Sequence, residues 1–404
     1  MLVAMLCATP LSAQSLNVEE GAMHEPVIAS TAGLQGWLQD FRLRARALGV
    51  PQATLDAVLP GLTYLPDVVE RDRNQAEFTR AIWDYLDRAV SDLRIEMGRK
   101  ALEDHAALLA QIEATYGVEK EIVLAIWGLE TSFGTHRGDV PTLSALATLA
   151  YDTRRRAFFE SQLVAGLKIV AAGEVAPARM LGSWAGAMGH TQFMPTSYLS
   201  LAVDFDGDGR RDIWGDDPAD ALASAAAYLA ANGWQAGGLW GLEVRLPEEF
   251  DWAQSGDRVV KPVADWAALG VAPAAGGALP DHGPAVLRLP AGHRGAAFLT
   301  FTNFRAIESY NPADAYVIAI GHLADRLRGA GPLLAGWPRE DGVLKGDERA
   351  ELQRLLTEAG FDTLGADGKI GPNTQAAIKL WQKANAAPAD GYASPALLAA
   401  LRGR

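Results

Sequence analysis

A single glutamate, Glu130, follows an apolar run and is the first residue of the sequence that could do chemistry. The run IVLAIWGL occupies residues 122–129 and glycines follow soon after, so a helix is expected to end near the glutamate. Apolar neighbours and the negative end of the helix dipole both disfavour a charged carboxylate, so we expect a raised pKa. A glutamic acid that is protonated near neutral pH can act as a general acid. A surface glutamate at a frayed helix end would show the same spacing.

A second candidate site is the segment GSWAGAMGHTQFMPTSY, residues 182–198, in which small residues alternate with aromatic residues and methionine. Small residues allow the close approach of a ligand or of another backbone segment. Ser183 and Gln192 offer hydrogen bonds, and Phe193 offers an apolar face. A sugar can be bound by such a set, with its ring on an aromatic face and its hydroxyls on polar groups. A tight packing site between helices would have a similar composition.

The third candidate is an acidic loop with the pattern D-x-D-x-D-G, which is typical of calcium-binding loops. Its expected ligands are three alternating carboxylates and the backbone carbonyl at position 7, from Asp204, Asp206, Asp208 and Arg210. Position 12, where an acidic residue usually binds in a bidentate manner, is Gly215. We therefore expect the last ligand to be Asp220, in a loop that is longer by a few residues. The prediction is a structural calcium ion, and the alternative is an acidic turn without metal.

The composition and charge of the whole chain narrow the possible functions. The 404 residues are 49% hydrophobic and 21% charged, which is typical of globular proteins, and the length predicts two or three domains. The net charge of -13 argues against nonspecific binding of nucleic acid. The sequence contains no H-x-x-x-H, G-x-S-x-G, P-loop or dinucleotide-binding pattern, so zinc chemistry, serine hydrolysis and an organic cofactor have no support.

The N-terminus, MLVAMLCATPLSAQ, predicts a signal peptide over residues 1–13. Its apolar segment is about a dozen residues long, too short to cross a bilayer, and it ends at the small residues Ser12 and Ala13. Leu6 before the single cysteine, Cys7, fits a lipoprotein cleavage site poorly. We therefore expect an exported, soluble, periplasmic protein.

The spacing of apolar residues predicts a mostly helical chain from residue 31 to residue 235. The predicted helices are 76–95, 101–115, 118–130, 141–150, 157–171 and 218–231, with a further helix at 312–328. Between about 240 and 302, alternating and β-branched segments predict the short strands of a β region, the last of them in AAFLTFTNF.

The C-terminal part of the sequence contains a weak internal duplication. After a linker at 331–342, two segments each carry an LQ or WQ pair followed by an Asp-Gly turn, at 367–368 and 390–391. Such repeated units indicate a compact three-helix domain over residues 343–402, although two ordinary helix–turn units would look alike.

Taken together, these motifs resemble those of the lytic murein transglycosylase B family. AIWGLETSFG resembles its catalytic-glutamate segment, SWAGAMGHTQFMPTSY its substrate groove, and the acidic loop its calcium site. SYNPADAY, residues 309–316, resembles a late Asn/Tyr segment, and DGKIGPNTQAAIKLWQ resembles a peptidoglycan-binding domain. The resemblance implies a mainly α (α+β) fold. A lysozyme-like helical catalytic domain would cover residues 30–330 with the small β region, and a three-helix peptidoglycan-binding module would follow.

The resemblance also implies roles for single residues. Glu130 would be the catalytic acid and base, and the muramoyl sugar would be surrounded by Ser183, Gln192, Asn311, Tyr316 and Tyr85. The implied reaction cleaves the β-1,4 bond from N-acetylmuramic acid to N-acetylglucosamine and forms a 1,6-anhydro ring. The expected partners are peptidoglycan glycan strands, bound by a monomer. A hydrolytic muramidase with the same groove, and a noncatalytic peptidoglycan-binding scaffold, are the alternatives.

Overall fold

The structure is a computed structural model that describes residues 30–73 and 80–403. The predicted signal peptide lies outside these residues. The described chain forms two compact units: residues 30–73 and 126–228 belong to the first, and residues 80–125 and 229–403 belong to the second. Within the described residues, no helix is both long enough and apolar enough to span a bilayer.

The described chain is mainly helical, with two small antiparallel sheets. The α-helices are α1 (Thr31–Ala47), α2 (Gln52–Val58), α3 (Pro66–Arg73), α4 (Ile82–Ala89), α5 (Asp92–Asp104), α6 (Ala106–Tyr116), α7 (Lys120–Thr131), α8 (Thr142–Tyr151), α9 (Arg156–Ala171), α10 (Pro195–Leu201), α11 (Ala219–Ala231), α12 (Val263–Ala268), α13 (Thr302–Tyr310), α14 (Asp314–Leu327), α15 (Gly346–Glu358), α16 (Pro372–Ala384) and α17 (Pro395–Arg402). The strands are β1 (Val140–Pro141), β2 (Leu181–Gly182), β3 (Gly241–Arg245), β4 (Val260–Lys261), β5 (Ala272–Pro273), β6 (Ala285–Arg288) and β7 (Ala297–Thr300).

Helix α8 forms the centre of the first unit. Every residue from 142 to 150 is buried, so this helix is covered on all sides, as its apolar sequence TLSALATLA indicates. Two of its buried hydroxyls hold the segment between α2 and α3: Ser144 accepts from the amide of Thr63 at 3.2 Å, and Thr148 accepts from that of Leu65 at 3.1 Å. These bonds satisfy backbone groups that no helix or strand pairs.

The β region of the second unit is a five-stranded antiparallel sheet with the order β4-β6-β7-β3-β5. Leu299 lies in the middle, opposite Leu242 on one side and Leu287 on the other. Residues of β6 and β7 are buried on both faces, which explains their continuous apolar sequences. The mainly α fold with a small β region is therefore confirmed.

The structure differs from the predicted elements in three places. The helix predicted over 101–115 is divided between α5 and α6, which meet at His105. The stretch predicted as one helix over 76–95 is described from residue 80 and breaks after Ala89, where Ser91 begins α5 by accepting from the amide of Arg94 at 3.4 Å. The segment AAFLTFTNF is a strand only up to Thr300, and α13 begins at Thr302. In this segment, continuously buried strand residues are followed directly by residues buried at helical spacing. Both belong to one apolar run, so the sequence does not show where the strand ends and the helix begins.

The C-terminal module is a bundle of α15, α16 and α17 around a core that includes Leu352, Ile378 and Leu398. The internal duplication noted in the sequence is also present in the structure of the module. Gln353 accepts from the amide of Gly368 at 2.7 Å, and Gln382 accepts from that of Gly391 at 2.9 Å. Each glutamine of the LQ or WQ pair thus fixes its own Asp-Gly turn, and the predicted three-helix domain is confirmed.

Candidate active site and metal loop

Glu130 is the second-last residue of α7, as the apolar run predicted, and only 7% of it is exposed. The helix that carries it is buried through Ile126 and Trp127. The chain leaves the helix through Ser132 and Phe133, which both have positive φ values of 50° and 57°. Such values are uncommon outside glycine and are found at sites where the surrounding structure holds the backbone. The carboxyl group therefore lies at a rigid, largely apolar helix end.

The turn after α7 folds the ring of Phe133 back over the helix. The ring lies edge-on to Trp127, with centroids 5.8 Å apart, and a Cβ atom at Gly128 would approach it to 2.6 Å. The glycine of the WGLE sequence is thus needed for this contact. These two aromatic residues lie on either side of the glutamate in the sequence, and the structure brings them together.

His190 supports the end of α7 and was not assigned a role from the sequence. The indole N–H of Trp127 donates to its Nδ1 at 3.1 Å, and the hydroxyl of Thr131 donates to its carbonyl at 2.7 Å. The ring proton is therefore on Nε2, which donates to the carbonyl of Gly215 at 2.8 Å. Burial lowers the pKa of His190, and nearby Arg137 adds to the effect. A neutral histidine thus connects the helix end to the loop that begins at residue 182.

This loop, residues 182–194, depends on glycines for its close backbone contacts. A Cβ atom on Gly182 would lie 2.1 Å from the carbonyl oxygen of Ala187, and one on Gly189 would lie 2.2 Å from that of Ile213. The small residues seen in the sequence are therefore required by packing of the loop on itself and on its neighbours.

Of the predicted substrate residues in the loop, all three are buried. Ser183 accepts through its hydroxyl from the amide of Ala187 at 3.0 Å. Gln192 has a φ of 54°, and its Nε2 donates to the carbonyls of Arg137 at 3.1 Å and Gly189 at 2.9 Å. Among the described residues, no group hydrogen-bonds to Oε1 of Gln192. Phe193 is 2% exposed and packs edge-on against Tyr228, so its ring supports the loop from inside.

The other predicted substrate residues belong to the second unit. Tyr85 is half-buried on α4. Asn311 lies in the short connection between α13 and α14, and Tyr316 is buried near the start of α14. The side-chain oxygen of Asn311 accepts from the amide of Ala313 at 3.1 Å, whereas its Nδ2 is buried without a partner in the described parts of the chain.

The acidic loop brings together three of its predicted ligands. One carboxylate oxygen from each of Asp204, Asp206 and Asp208 lies within 4.8 Å of the others, and all three residues are exposed. Backbone amides shape the loop, since Asp204 accepts from Gly207 at 2.8 Å and from Gly209 at 2.9 Å. Three carboxylates in a turn of this kind provide the oxygen ligands that calcium prefers, so the residues fit the ion.

Asp220, the predicted last ligand, has a different environment. It lies in the first turn of α11 and is 3% exposed. Its carboxylate accepts from the amides of Phe205 at 2.7 Å, Asp206 at 3.3 Å and Asp212 at 2.8 Å, and burial raises its pKa. It is not part of the group of three aspartates. Asp220 therefore braces the loop through its backbone, and Oδ2, which accepts only the amide of Asp212, retains a lone pair for a metal ion.

Comparison with protein families identifies the class of this chain. The transglycosylase SLT domain family matches residues 33–325, and a peptidoglycan binding domain family matches residues 345–401. The first match covers more than half of the chain, so the protein belongs to the transglycosylase SLT family. The resemblance inferred from the motifs is confirmed.

Individual relatives agree with this assignment. The membrane-bound lytic murein transglycosylase B of Escherichia coli K12 is 37% identical over 286 residues, which are 68% of this chain and 78% of that protein. SltB3 from Pseudomonas aeruginosa, solved in complex with NAG-anhNAM-pentapeptide, is 48% identical with a TM-score of 0.88, covering 91% of this chain and 99% of that one. The Escherichia coli lytic transglycosylase Slt35, solved in complex with calcium, is 28% identical with a TM-score of 0.62, covering 76% and 98%.

Proposed function

We propose that this protein is a peptidoglycan lytic transglycosylase. It cleaves the β-1,4 bond from N-acetylmuramic acid to N-acetylglucosamine and leaves 1,6-anhydromuramoyl ends. The observation that carries the proposal is the buried Glu130 at the strained end of α7, in a chain of the transglycosylase SLT family. The relative solved with an anhydromuramoyl ligand supports the same product.

In the proposed reaction, Glu130 acts twice. As a general acid it donates a proton to the leaving glycosidic oxygen while positive charge develops at C1 of the muramoyl sugar. The resulting carboxylate then takes the proton of the C6 hydroxyl, whose oxygen attacks C1 and closes the anhydro ring. Water is not consumed. Two acids near Glu130 in the sequence offer no obvious partner, since Asp139 is exposed and Asp152 pairs with Arg73 at 2.6 Å.

The proposed sugar-binding groups are Ser183, Gln192, Asn311, Tyr316, Tyr85 and Phe193. Support comes from two buried polar atoms that lack partners among the described residues, Oε1 of Gln192 and Nδ2 of Asn311. Leaving a buried donor or acceptor unpaired costs about 1–3 kcal/mol, so a ligand that pairs with it gains affinity and specificity. An acceptor such as Oε1 of Gln192 can pair with a sugar hydroxyl, and a donor such as Nδ2 of Asn311 can pair with an acetamide carbonyl.

A structural calcium ion is proposed in the loop of Asp204, Asp206 and Asp208, with the carbonyl of Arg210 as a further ligand. The proposal is supported by the three neighbouring carboxylates and by the calcium complex of the related Slt35. When bound, the two positive charges of the ion would offset most of the negative charge of the three exposed acids and stabilise the loop. Asp220 would hold the loop in place from behind.

The domain division and the location of the protein are also proposals. We assign residues 30–330 to catalysis, 331–342 to a linker and 343–402 to peptidoglycan binding by a monomer. A substrate in the cell wall supports export to the periplasm through a signal peptide at residues 1–13.

Mass spectrometry of murein digested by the protein tests the proposed reaction. Muropeptides with anhydro ends are expected, and their mass is lower by one water than that of reducing ends. Reducing ends would instead indicate a hydrolytic muramidase. Intact murein that retains bound protein would indicate a noncatalytic scaffold.

A further inference from the structure

The segment predicted as a linker, residues 331–342, is fixed to the β region near its start. Both carboxylate oxygens of Glu243 on β3 accept from the amide of Leu334, at 3.1 and 2.8 Å, and one of them also accepts from the amide of Ala335 at 2.6 Å. Hydrogen bonds to a carboxylate are stronger than those between neutral groups. A linker that acts only as a flexible spacer has no such contacts. The segment and its contact residues all belong to the second unit.

Trp337 connects this segment to helix α4. Its ring lies 6.4 Å from that of Trp83, centroid to centroid, with the two planes tilted by 40°. Trp83 is 3% exposed, so the contact is made on the buried side of α4. The ring of Trp337 also lies on the chain just before β7, since a Cβ atom built on Gly295 would approach its Cε3 atom to 3.3 Å. Trp337 thus joins the β region to α4.

Arg339 makes a second contact with the same helix. Its Nη1 donates to Oδ2 of Asp87 at 2.8 Å and its Nη2 donates to Oδ1 at 3.0 Å, so the two groups form a bidentate pair. Exposed pairs add little to stability, but two parallel hydrogen bonds fix the direction of one side chain relative to the other. The next two residues, Glu340 and Asp341, both pair with Arg294 of the β region. Arg339 therefore extends from a part of the segment that is itself held in place.

Helix α4 depends on such contacts for its position. It has eight residues, and its N-cap residue, Ala81, carries no side-chain acceptor. A helix this short is not stable on its own and takes its position from packing. Trp83 and Asp87 lie one turn apart on the same face, whereas Tyr85 lies on the opposite face. The segment therefore contacts the back of the helix that presents Tyr85, one of the proposed sugar-binding groups.

The C-terminal module has contacts of its own with the β region. Asp390 accepts from the amide of His293 at 2.9 Å, and the ammonium group of Lys379 donates to the hydroxyl of Ser255 at 3.0 Å. None of these four residues lies on α4. Docking of the module therefore does not explain why the segment contacts α4.

We propose that Trp337 and Arg339 are positioning residues, which hold α4 in the orientation in which Tyr85 binds the glycan. The inference rests on the proposed function, since it takes the role of Tyr85 from there. It assigns part of the predicted linker to the catalytic domain, because the segment supports α4 and does not act as a free spacer.

Steady-state kinetics on a soluble tetrasaccharide of alternating N-acetylglucosamine and N-acetylmuramic acid test the inference, with every cleaved β-1,4 bond counted by mass spectrometry. We expect Trp337→Ala to lower kcat/KM about tenfold, mainly through a higher KM, because Tyr85 is assigned to binding. Trp337→Phe keeps an aromatic ring and should restore most of the loss. Arg339→Gln should lower kcat/KM about threefold. Arg44→Gln removes another bidentate pair, with Glu160 in the first unit, and should act like the unaltered protein.

A cycle with Tyr85→Ala distinguishes positioning from a general loss of structure. If Trp337 acts through Tyr85, adding Trp337→Ala to Tyr85→Ala should change kcat/KM by less than about twofold. The full tenfold loss in that background would overturn the inference, as would an unchanged kcat/KM in the single variants. If Trp337→Ala does not fold, the same cycle is run with Arg339→Gln, and an equal loss in both backgrounds overturns the inference.

Failure of the proposed function gives a different result. Reducing ends together with the expected pattern of variants would refute only the formation of the anhydro ring. Anhydro ends with a kcat/KM that is independent of Trp337 and Arg339 would refute only the positioning role. No cleavage by the unaltered protein would refute both.

Discussion

Two groups of carboxylates in the first unit are built in opposite ways. Glu130 is buried at the end of α7, whereas Asp204, Asp206 and Asp208 are exposed and lie together in one loop. Burial of a carboxyl group carries a desolvation cost for its charged form, which a partner can offset. Three neighbouring exposed carboxylates provide the oxygen ligands that a shared cation such as calcium needs. This difference agrees with the roles proposed above, proton transfer for Glu130 and calcium binding for the three aspartates.

Replacement of Glu130 is expected to have the largest effect and tests the role of the buried carboxyl group. Glu130→Gln preserves the size of the side chain but removes the proton that can be donated, so we expect the release of anhydromuropeptides from murein to fall about 10³-fold or more. Binding to sacculi and the melting temperature should change little. Glu121→Gln, in the first turn of the same helix, is the matched control and should keep full activity. Substantial activity of Glu130→Gln would assign the acid to another residue.

Calcium provides the corresponding test for the exposed group. Because only the folded loop binds the ion, calcium at about 100 times its Kd should add about 2.7 kcal/mol to the free energy of unfolding. We expect the melting temperature to rise by several degrees in calcium and to fall back with a chelator. Asp204→Asn should abolish the rise, while Asp139→Asn, at an exposed position outside the loop, should keep it. If millimolar calcium leaves the melting temperature of the unaltered protein unchanged, the calcium site is excluded.

Asp220 combines features of both groups of carboxylates, because it is a buried acid that supports the exposed loop. Asp220→Asn places an amide group where backbone N–H groups now donate, so we expect a loss of about 2 kcal/mol in the free energy of unfolding. The measurement is chemical denaturation with and without calcium. If Asp220 acts through the backbone, the loss persists in chelator; a loss seen only in calcium would make it a ligand.

The two groups of carboxylates also show which features of the molecule could be predicted from the sequence. The apolar run before Glu130 and the spacing of the three aspartates are local patterns, and they predicted the local structure: a helix that ends near Glu130 and three neighbouring carboxylates. The bracing role of Asp220 and the role of His190 depend on residues that are distant in the sequence, which local spacing does not encode. The start of α13 at Thr302 was missed for a related reason, since one apolar run served both a strand and a helix.

Replacement of His190 is expected to have the smallest effect, a change in how the free energy of unfolding depends on pH. The effect is specific, because His190 is a titratable residue beside the buried end of α7. Burial lowers its pKa in the folded protein below the ordinary value near 6.5, so the unfolded chain binds the proton more readily. Its contribution to stability is complete above pH 6.5 and is lost as the pH falls below that value, at up to about 1.4 kcal/mol per pH unit. His190→Gln can keep both hydrogen bonds and cannot titrate. Denaturation at pH 7 and pH 5 should therefore show a smaller loss for His190→Gln than for the unaltered protein. Equal losses would mean that the histidine is already charged in the fold, which the donation from Trp127 to its Nδ1 opposes.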